Sequence, residues 1–159
     1  MRARSTSVSD YCVRSVVTAE RDTPVARCAR MMHDEHVGCV VVVESRDGRR
    51  VPVGMLTDRD IAIEVVAFGI DPSALTAGDV MTGSLATIRA HDDLLAALAV
   101  MREHGVRRLP VVDSHGALHG IVSADNLVEM LAGELDGLVS VIEAEQTRER
   151  VTRASRPAG

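Results

Sequence analysis

The sequence contains almost no aromatic residues: Tyr11 and Phe68 are the only two, and tryptophan is absent. Proteins that bind single-stranded nucleic acid usually stack bases on aromatic side chains, so this composition disfavours that class. The formal net charge of −5 also argues against a broad nucleic-acid footprint, because such footprints are basic. We therefore expect no nucleic-acid partner.

Lysine is also absent, and all 18 basic residues are arginine. Schiff-base chemistry and the phosphate-binding P-loop both require lysine, so both are excluded. Two histidine pairs, His33 with His36 and His115 with His119, lack the acidic or thiol neighbours of a convincing metal site. No nucleophile–base pair stands out either. We expect no metal site, no catalytic residue and no enzymatic activity.

Cysteine is scarce, and the three that occur, Cys12, Cys28 and Cys39, form no CxxC pair. Cys28 falls on the apolar side of a helical pattern and Cys39 within a strand pattern. Both positions favour small buried side chains, which we expect to be reduced and structural. A redox switch is the alternative interpretation.

Long apolar runs are missing as well, since no stretch reaches 18 apolar residues, the length that indicates a membrane span. The segment Met1–Ser7 has basic residues but no apolar core typical of a secretory signal. The sequence therefore predicts a cytoplasmic protein that makes no membrane contact.

Two copies of one short motif are present, Gly54–Asp60 and Gly120–Asn126. Each has a glycine, two apolar residues, a hydroxyl residue, two further residues and then Asp or Asn. Each lies where an apolar strand pattern gives way to a helical pattern. Free N–H groups at a helix N-terminus suit a phosphate, which the hydroxyls of Thr57 and Ser123 could also bind. The carboxylate of Asp60 could accept hydrogen bonds from a ribose.

The same spacing has a purely structural interpretation. Ser/Thr-x-x-Asp is close to a capping box, in which the hydroxyl and the acid satisfy backbone N–H groups at a helix start. The occurrence of two copies at matching places favours a function, but the sequence leaves both interpretations open.

The motifs belong to an internal β-α-β-β-α repeat, predicted over residues 10–75 and again over 76–135. In the first copy a helix begins near Thr23-Pro24, and the apolar run Val37–Val43 indicates a strand buried on both faces. An Asp47-Gly48 turn then leads to the next strand. In the second copy a helix ends at Gly105 and the strand Val106–Val112 follows.

The two ends of the chain lie outside this repeat. We expect a flexible N-terminus over residues 1–9, a C-terminal helix over 136–147 and a disordered basic tail over 148–159. An apolar stripe at helical spacing either packs on its own module or forms part of a dimer seam. It consists of Leu131, Leu135, Leu138 and Ile142.

The repeat resembles the CBS domain, the module first noted in cystathionine β-synthase, and two copies in tandem resemble a Bateman module. The resemblance covers roughly Val8 to Leu135. It rests on Gly54–Asp60, on Asp79–Thr82 and on Val106–Asp113. The chain is similar to stand-alone bacterial CBS-pair proteins.

The resemblance implies an α/β (α+β) fold with two β-α-β-β-α units related by a pseudo-twofold axis and packed through their sheets. Clefts between the units bind adenosine ligands in many members, such as AMP, ADP, ATP or S-adenosylmethionine, and NAD-type ligands in some. CBS pairs usually form dimers, and they regulate other activities without catalysing reactions. No required cofactor is implied, only an adenine nucleotide as regulatory ligand.

Matching the family motif to this sequence assigns phosphate binding to Thr57 and Ser123 and ribose binding to Asp60, with Asn126 at the matching ribose position. Arg107 and Arg108 match a basic pair that reaches ligand phosphates in some members, although either could lie at a solvated strand edge. The candidate nucleotide-binding residues are Thr57, Arg59, Asp60, Arg107, Arg108, Ser123 and Asn126. The candidate adenine contacts are Val17, Leu56, Ile88 and Val122.

These observations predict a regulatory module that senses an adenine nucleotide and signals through conformation or assembly. Its expected partners are the small-molecule ligand, a second copy of the chain and a downstream protein that the sequence does not identify. The alternative is a dimeric scaffold that binds no ligand and whose clefts are vestigial.

Overall fold

The computed structural model describes residues 7–154, with side chains described as far as residue 150. The chain divides into two compact units, Met1–Ala124 and Asp125–Gly159. The first half of the first unit contains α1 (Val8–Tyr11), β1 (Thr18–Ala19), α2 (Val25–Asp34), β2 (Cys39–Arg46), β3 (Arg49–Thr57) and α3 (Asp58–Asp60), which continues as a π-helix (Ile61–Val66). Its second half contains α4 (Ala77–Val80), β4 (Ile88–Arg89), α5 (Leu94–His104), β5 (Arg108–Val112) and β6 (Leu118–Ser123). Helix α6 (Ala124–Ala154) begins at the last residue of the first unit and forms the described part of the second.

Two three-stranded sheets repeat one topology. The first has the strand order β1-β2-β3 and the second the order β4-β5-β6. In each sheet the first pair is parallel and the second pair antiparallel. Because parallel strands need a crossover, a helix separates β1 from β2 and β4 from β5. The predicted duplication of a β-α-β-β-α unit is confirmed.

Strand β2 is buried on both faces, as its apolar run predicts. Val40 and Val42 pack with Cys28 and Met32 of α2, in the core of the first repeat. Because side chains alternate along a strand, Val41 points the other way. It belongs to a second cluster, against which Ile121 of the second repeat packs. The two sheets therefore share an apolar interface.

Each motif glycine lies against the segment that precedes the first strand of the other repeat. A Cβ on Gly54 would collide with the side chain of Met81, which lies between α4 and β4 of the second repeat. A Cβ on Gly120 would lie 2.9 Å from the carbonyl oxygen of Val13, just ahead of β1. Val13 and Ile121 also exchange two backbone hydrogen bonds of 2.9 Å. This reciprocal arrangement is what a pseudo-twofold relation between the repeats requires.

The predicted flexibility of residues 1–9 is wrong for residues 7–9, and residues 1–6 lie outside the described part of the chain. Val8 is fully buried, and its N–H donates to the carbonyl of Asp92 at 2.9 Å. The N–H of Ser9 donates to the carbonyl of Ala90 at 2.8 Å. Both partners lie in the second repeat, so a local sequence pattern gave no sign of this anchoring.

Helix α6 runs without a break through the predicted boundary at residue 136. It also includes residues 148–154, so the prediction of a disordered tail is wrong for them, and residues 155–159 lie outside the described range. The segment Gln146–Arg150 contains strong helix formers, which explains the continuation. Within residues 7–154, no helix combines the length and apolarity needed to cross a membrane.

Candidate functional site

The first motif forms a complete capping box at the start of α3. The N–H of Thr57 donates to Oδ2 of Asp60 at 2.9 Å, and the N–H of Asp60 donates to Oγ1 of Thr57 at 3.1 Å. The Thr57 hydroxyl donates to the same Oδ2 at 2.7 Å. Both side chains are half-buried. The structural interpretation of the motif is therefore realised, and it fixes the carboxylate and the hydroxyl side by side.

The expected free N–H groups at this helix start are not found. The N–H of Asp58 donates to the carbonyl of Gly38 at 3.1 Å, and the N–H of Arg59 donates to Oδ1 of Asp58 at 2.8 Å. With Asp60 bonded to Thr57, all three N–H groups of α3 have partners inside the protein. A phosphate at this site would need another source of positive charge.

Arg108 from the second repeat supplies a positive charge at this place. Its Nη2 lies 3.6 Å from the position that a Cβ on Gly38 would occupy. Oδ2 of Asp58 lies 3.3 Å from the same position. Because Cys39, the residue after Gly38, pairs with Thr57 across the sheet, the guanidinium lies near the end of β3, where α3 begins. The structure thus brings Arg108 to the Thr57 junction of the other repeat.

The charges of Arg108 and Asp58 both affect the pKa of the Cys39 thiol. Burial raises the pKa of Cys39 above its ordinary value of 9.0, the nearby Arg108 guanidinium lowers it, and the Asp58 carboxylate raises it. The side chain is buried among the apolar residues between the sheets. Cys39 is therefore a neutral, compact wall of the site at neutral pH.

The second motif has a different charge pattern. Ser123 pairs with Arg108 across the second sheet, as Thr57 pairs with Cys39 in the first. The N–H of Ala124 donates to the carbonyl of Arg107 at 2.9 Å, and the N–H of Asp58 makes the equivalent bond to Gly38 in the first repeat. Ala124 thus stands where the first repeat has an acid. Asn126 lies on α6, in the second compact unit.

The two candidate arginines that remain are solvent-exposed. Arg107 and Arg59 both have exposed side chains, whereas Arg108 is half-buried. Consecutive residues near a strand start point to opposite faces, which separates Arg107 from Arg108. Of the three arginines proposed from the sequence, Arg108 is the one that comes from the second repeat and lies next to Gly38 and Asp58.

Most of the candidate adenine contacts are core residues. Leu56 and Val122 are fully buried and Ile88 is 5% exposed, so none of the three offers a surface to a ligand in this structure. Their assignment as adenine contacts therefore stays a prediction. Along each strand, side chains point alternately to the other sheet and to the core of their own repeat. Met55 and Ile121 belong to the cluster between the sheets, so the next residues, Leu56 and Val122, point into their own repeat.

Val17 is the candidate that faces open space. It lines a cavity of about 280 Å³ next to α2. The remaining lining residues are Ser15, Val16, Met31, Asp34 and Glu35. Val17 also accepts a hydrogen bond from the N–H of Val41 in β2 at 3.0 Å. Since β2 separates β1 from β3, the cavity and Thr57 are about two strand spacings apart, roughly 10 Å.

Sequence reasoning missed two features of the site, namely Asp58 and the role of Gly38. Asp58 occupies a variable position of the motif, so the motif gave it no role. The available signal was a size difference, because the first repeat has Gly38 and Cys39 where the second has Arg107 and Arg108. Small residues at these positions of the first repeat leave room for an arginine side chain from the second repeat.

Known proteins match this chain over most of its length. The family model for the CBS domain matches residues 8–67 and again residues 77–133. The CBS domain-containing protein YhcV of Bacillus subtilis is 32% identical over 131 residues, which cover 82% of this chain and 90% of YhcV. Hypoxic response protein 1 of Mycobacterium tuberculosis is 32% identical over 120 residues, covering 76% and 82% of the two chains.

Solved structures of such proteins have the same fold. A crystal structure of Hypoxic Response Protein I with two coordinated zinc ions superposes with a TM-score of 0.67, at 32% identity, covering 78% of this chain and 98% of the other. The CBS domain protein PAE2072 of Pyrobaculum aerophilum, complexed with AMP, gives a TM-score of 0.69 at 27% identity, covering 76% and 89%. In residues 7–154 of this chain, no group of three or more His, Cys, Asp or Glu is placed to hold a metal ion.

Proposed function

Because the chain belongs to the CBS-domain family and carries two tandem copies, we propose that it is a regulatory module that senses an adenine nucleotide. The ligand class comprises AMP, ADP and ATP, with S-adenosylmethionine and NAD as further members. Binding alters the conformation or assembly of the chain and thereby the activity of another protein. The module itself catalyses no reaction.

The observation that carries this proposal is the convergence of three polar groups at the first junction. Arg108 brings a cation from the second repeat to the start of α3. Thr57 and Asp60 belong to the same helix start, on either side of Asp58 and Arg59 in the chain, and the capping box holds them together. Cation, hydroxyl and carboxylate match the phosphate and the ribose of one nucleotide.

The two oxygens of Asp60 have different surroundings. Every hydrogen bond described for its side chain goes to Oδ2, from the N–H and the hydroxyl of Thr57. A ribose hydroxyl would therefore bind at Oδ1, and the capping box would survive binding. The structural and functional interpretations of the motif are compatible, because one oxygen serves the helix and the other the ligand.

The cavity beside Val17 is the place we propose for the adenine. It has aliphatic walls from Val16, Val17 and Met31 and acidic groups at its rim from Asp34 and Glu35. PAE2072 was crystallised with AMP, which supports an adenine nucleotide as the ligand class.

Thermal unfolding in the presence of AMP, ADP, ATP, S-adenosylmethionine and NAD tests the proposal, with GMP as the control for the base. A ligand that binds only the folded state at a hundred times its Kd stabilises it by about 2.7 kcal/mol. For a chain of this size, that corresponds to a rise in Tm of roughly 5–10 °C.

At least one adenine nucleotide should produce such a rise and GMP should not. If no adenine nucleotide at millimolar concentration moves the Tm, the sensing function is rejected. The alternative, a scaffold with vestigial clefts and a second copy of the chain as partner, would then stand.

A further inference from the structure

Helix α6 carries an apolar stripe that is exposed in the single chain. Five large side chains spaced alternately three and four residues apart are 49% to 64% exposed. They are Val128, Leu131, Leu135, Leu138 and Ile142. The match to the CBS family model ends at residue 133, so most of this stripe lies on a helical extension beyond the family module.

The spacing is that of a heptad repeat. With Val128 at position a, Leu135 and Ile142 also fall at a, and Leu131 and Leu138 fall at d. β-branched residues at a with leucine at d favour a parallel two-stranded coiled coil. Two of the three a positions are β-branched and both d positions are leucine.

Charged side chains are placed outside this seam. Glu129, Asp136 and Glu143 all fall at position b, on the side away from a partner helix. Glu134 at position g would face Val139 at position e of the partner, so the pairing sets no like charges against each other. Glu145 falls at the next d position and ends the apolar seam, which therefore spans fifteen residues by position, 128–142.

Helix α6 spans 31 residues although it contains two glycines, so intrinsic helix propensity does not account for its length. Gly133 and Gly137 lie within the helix, where glycine disfavours helical structure. They fall at positions f and c, away from the seam. Since most helix stability in proteins comes from packing of an apolar face, a helix with this composition requires a partner surface.

We propose that the α6 segment 128–142 pairs with the same segment of a second copy as a parallel two-stranded coiled coil. The partner is a second copy because the stripe is complementary to itself: every a and d position is apolar and of matching size. Regulation by assembly would use this seam, independently of which ligand the first junction binds.

Analytical ultracentrifugation of the full chain tests the pairing. The wild type should sediment at about twice the 17.0 kDa chain mass. A Leu135→Arg/Leu138→Arg variant places two charges in the seam and should sediment as a monomer. Its matched control, Gly133→Arg/Ser140→Arg, places the same two charges at f positions and should remain a dimer. Circular dichroism should show that both variants keep the folded repeats.

Disulfide cross-linking tests the orientation. In a parallel pair the two Leu138 side chains face each other, so a Leu138→Cys variant should give a covalent dimer under mild oxidation. Ser140→Cys, at the outer f position, should not exceed the wild-type background. A monomeric wild type, or a seam variant that stays dimeric, would overturn the proposal. Cross-linking of Ser140→Cys but not of Leu138→Cys would also overturn it.

Discussion

Arg108 of the second repeat lies against Gly38 of the first repeat. Nη2 of the arginine is 3.6 Å from the position of a Cβ on residue 38, an ordinary van der Waals distance, and Oδ2 of Asp58 lies 3.3 Å from the same position. The equivalent place in the second repeat is occupied by Arg107, and Ala124 replaces the acid found at residue 58. The two junctions are therefore built differently, and we expect them to bind nucleotide differently.

Replacing Arg108 with alanine should weaken AMP binding and leave adenosine binding unchanged. Hydrogen bonds to charged groups contribute about 1.5–3 kcal/mol, and about 1.4 kcal/mol corresponds to a tenfold change in Kd. The loss for AMP should therefore be about tenfold or more, measured by isothermal titration calorimetry. Arg102→Ala, an exposed arginine on α5, is the control. Equal AMP affinity of wild type and Arg108→Ala would remove the arginine from the site.

Replacing Asp60 with alanine should weaken AMP and adenosine alike, because the carboxylate is assigned to the ribose that both ligands share. An ionised carboxylate accepts charge-assisted hydrogen bonds, so the loss should again be about tenfold or more. Calorimetry with both ligands separates this ribose effect from the phosphate effect expected of Arg108.

The chain supplies a matched control for the loss of the helix cap. Asp79 at the start of α4 accepts from the N–H of Thr76 at 2.8 Å and from its hydroxyl at 2.7 Å, as Asp60 does from Thr57. Asp79→Ala should lower thermal stability about as much as Asp60→Ala but leave nucleotide affinity unchanged. If Asp60→Ala also binds both ligands like wild type, the carboxylate is only a cap.

The fold could be predicted because its signals are local. The apolar run Val37–Val43 and the turn at Asp47-Gly48 each specify an element over a few residues, and their recurrence in the second half reveals the duplication. The anchoring of Val8 could not be predicted in this way. Its hydrogen-bond partner lies 84 positions away in the chain, at Asp92.

The site was only half predictable for the same reason. Thr57 and Asp60 are neighbours in sequence, so their spacing alone placed them together. Arg108 comes next to Gly38 and Asp58 through the packing of the two repeats, which no local pattern encodes. Leu56 was proposed as an adenine contact because it is an aliphatic residue of the motif, where no aromatic residue is available to a base, and strand alternation places it in the core.

Replacing Gly120 with alanine should destabilise the protein. The new Cβ would lie 2.8 Å from Sγ of Cys12 and 2.9 Å from the carbonyl oxygen of Val13, which is backbone and cannot rotate away. Overpacking of this kind typically costs about 1–3 kcal/mol, so calorimetry should show Tm lower by several degrees. Gly83→Ala is the control, since a Cβ there meets no atom within 4 Å. Equal Tm values would show that the segment before β1 shifts freely.

The three cysteines should make the stability fall at alkaline pH. Burial raises the pKa of Cys12, Cys28 and Cys39 above the ordinary value of 9.0. The unfolded chain therefore loses thiol protons first, and the stabilisation is complete below pH 9 and lost as the pH rises toward the folded pKa values. Lysine is absent and Tyr11 is the only tyrosine, so few other side chains titrate in this range.

Urea unfolding at intervals from pH 7.5 to 10 measures this dependence. The free energy of unfolding should be flat up to about pH 8.5 and decline above it, with a smaller decline in a Cys28→Ala variant. Buried thiols should also react slowly with a thiol reagent at pH 7.5 until the protein is denatured, because the thiolate is the reactive form. A thiol that reacts at once in the folded protein, or a free energy that stays level to pH 10, would contradict the structural role and favour a redox switch.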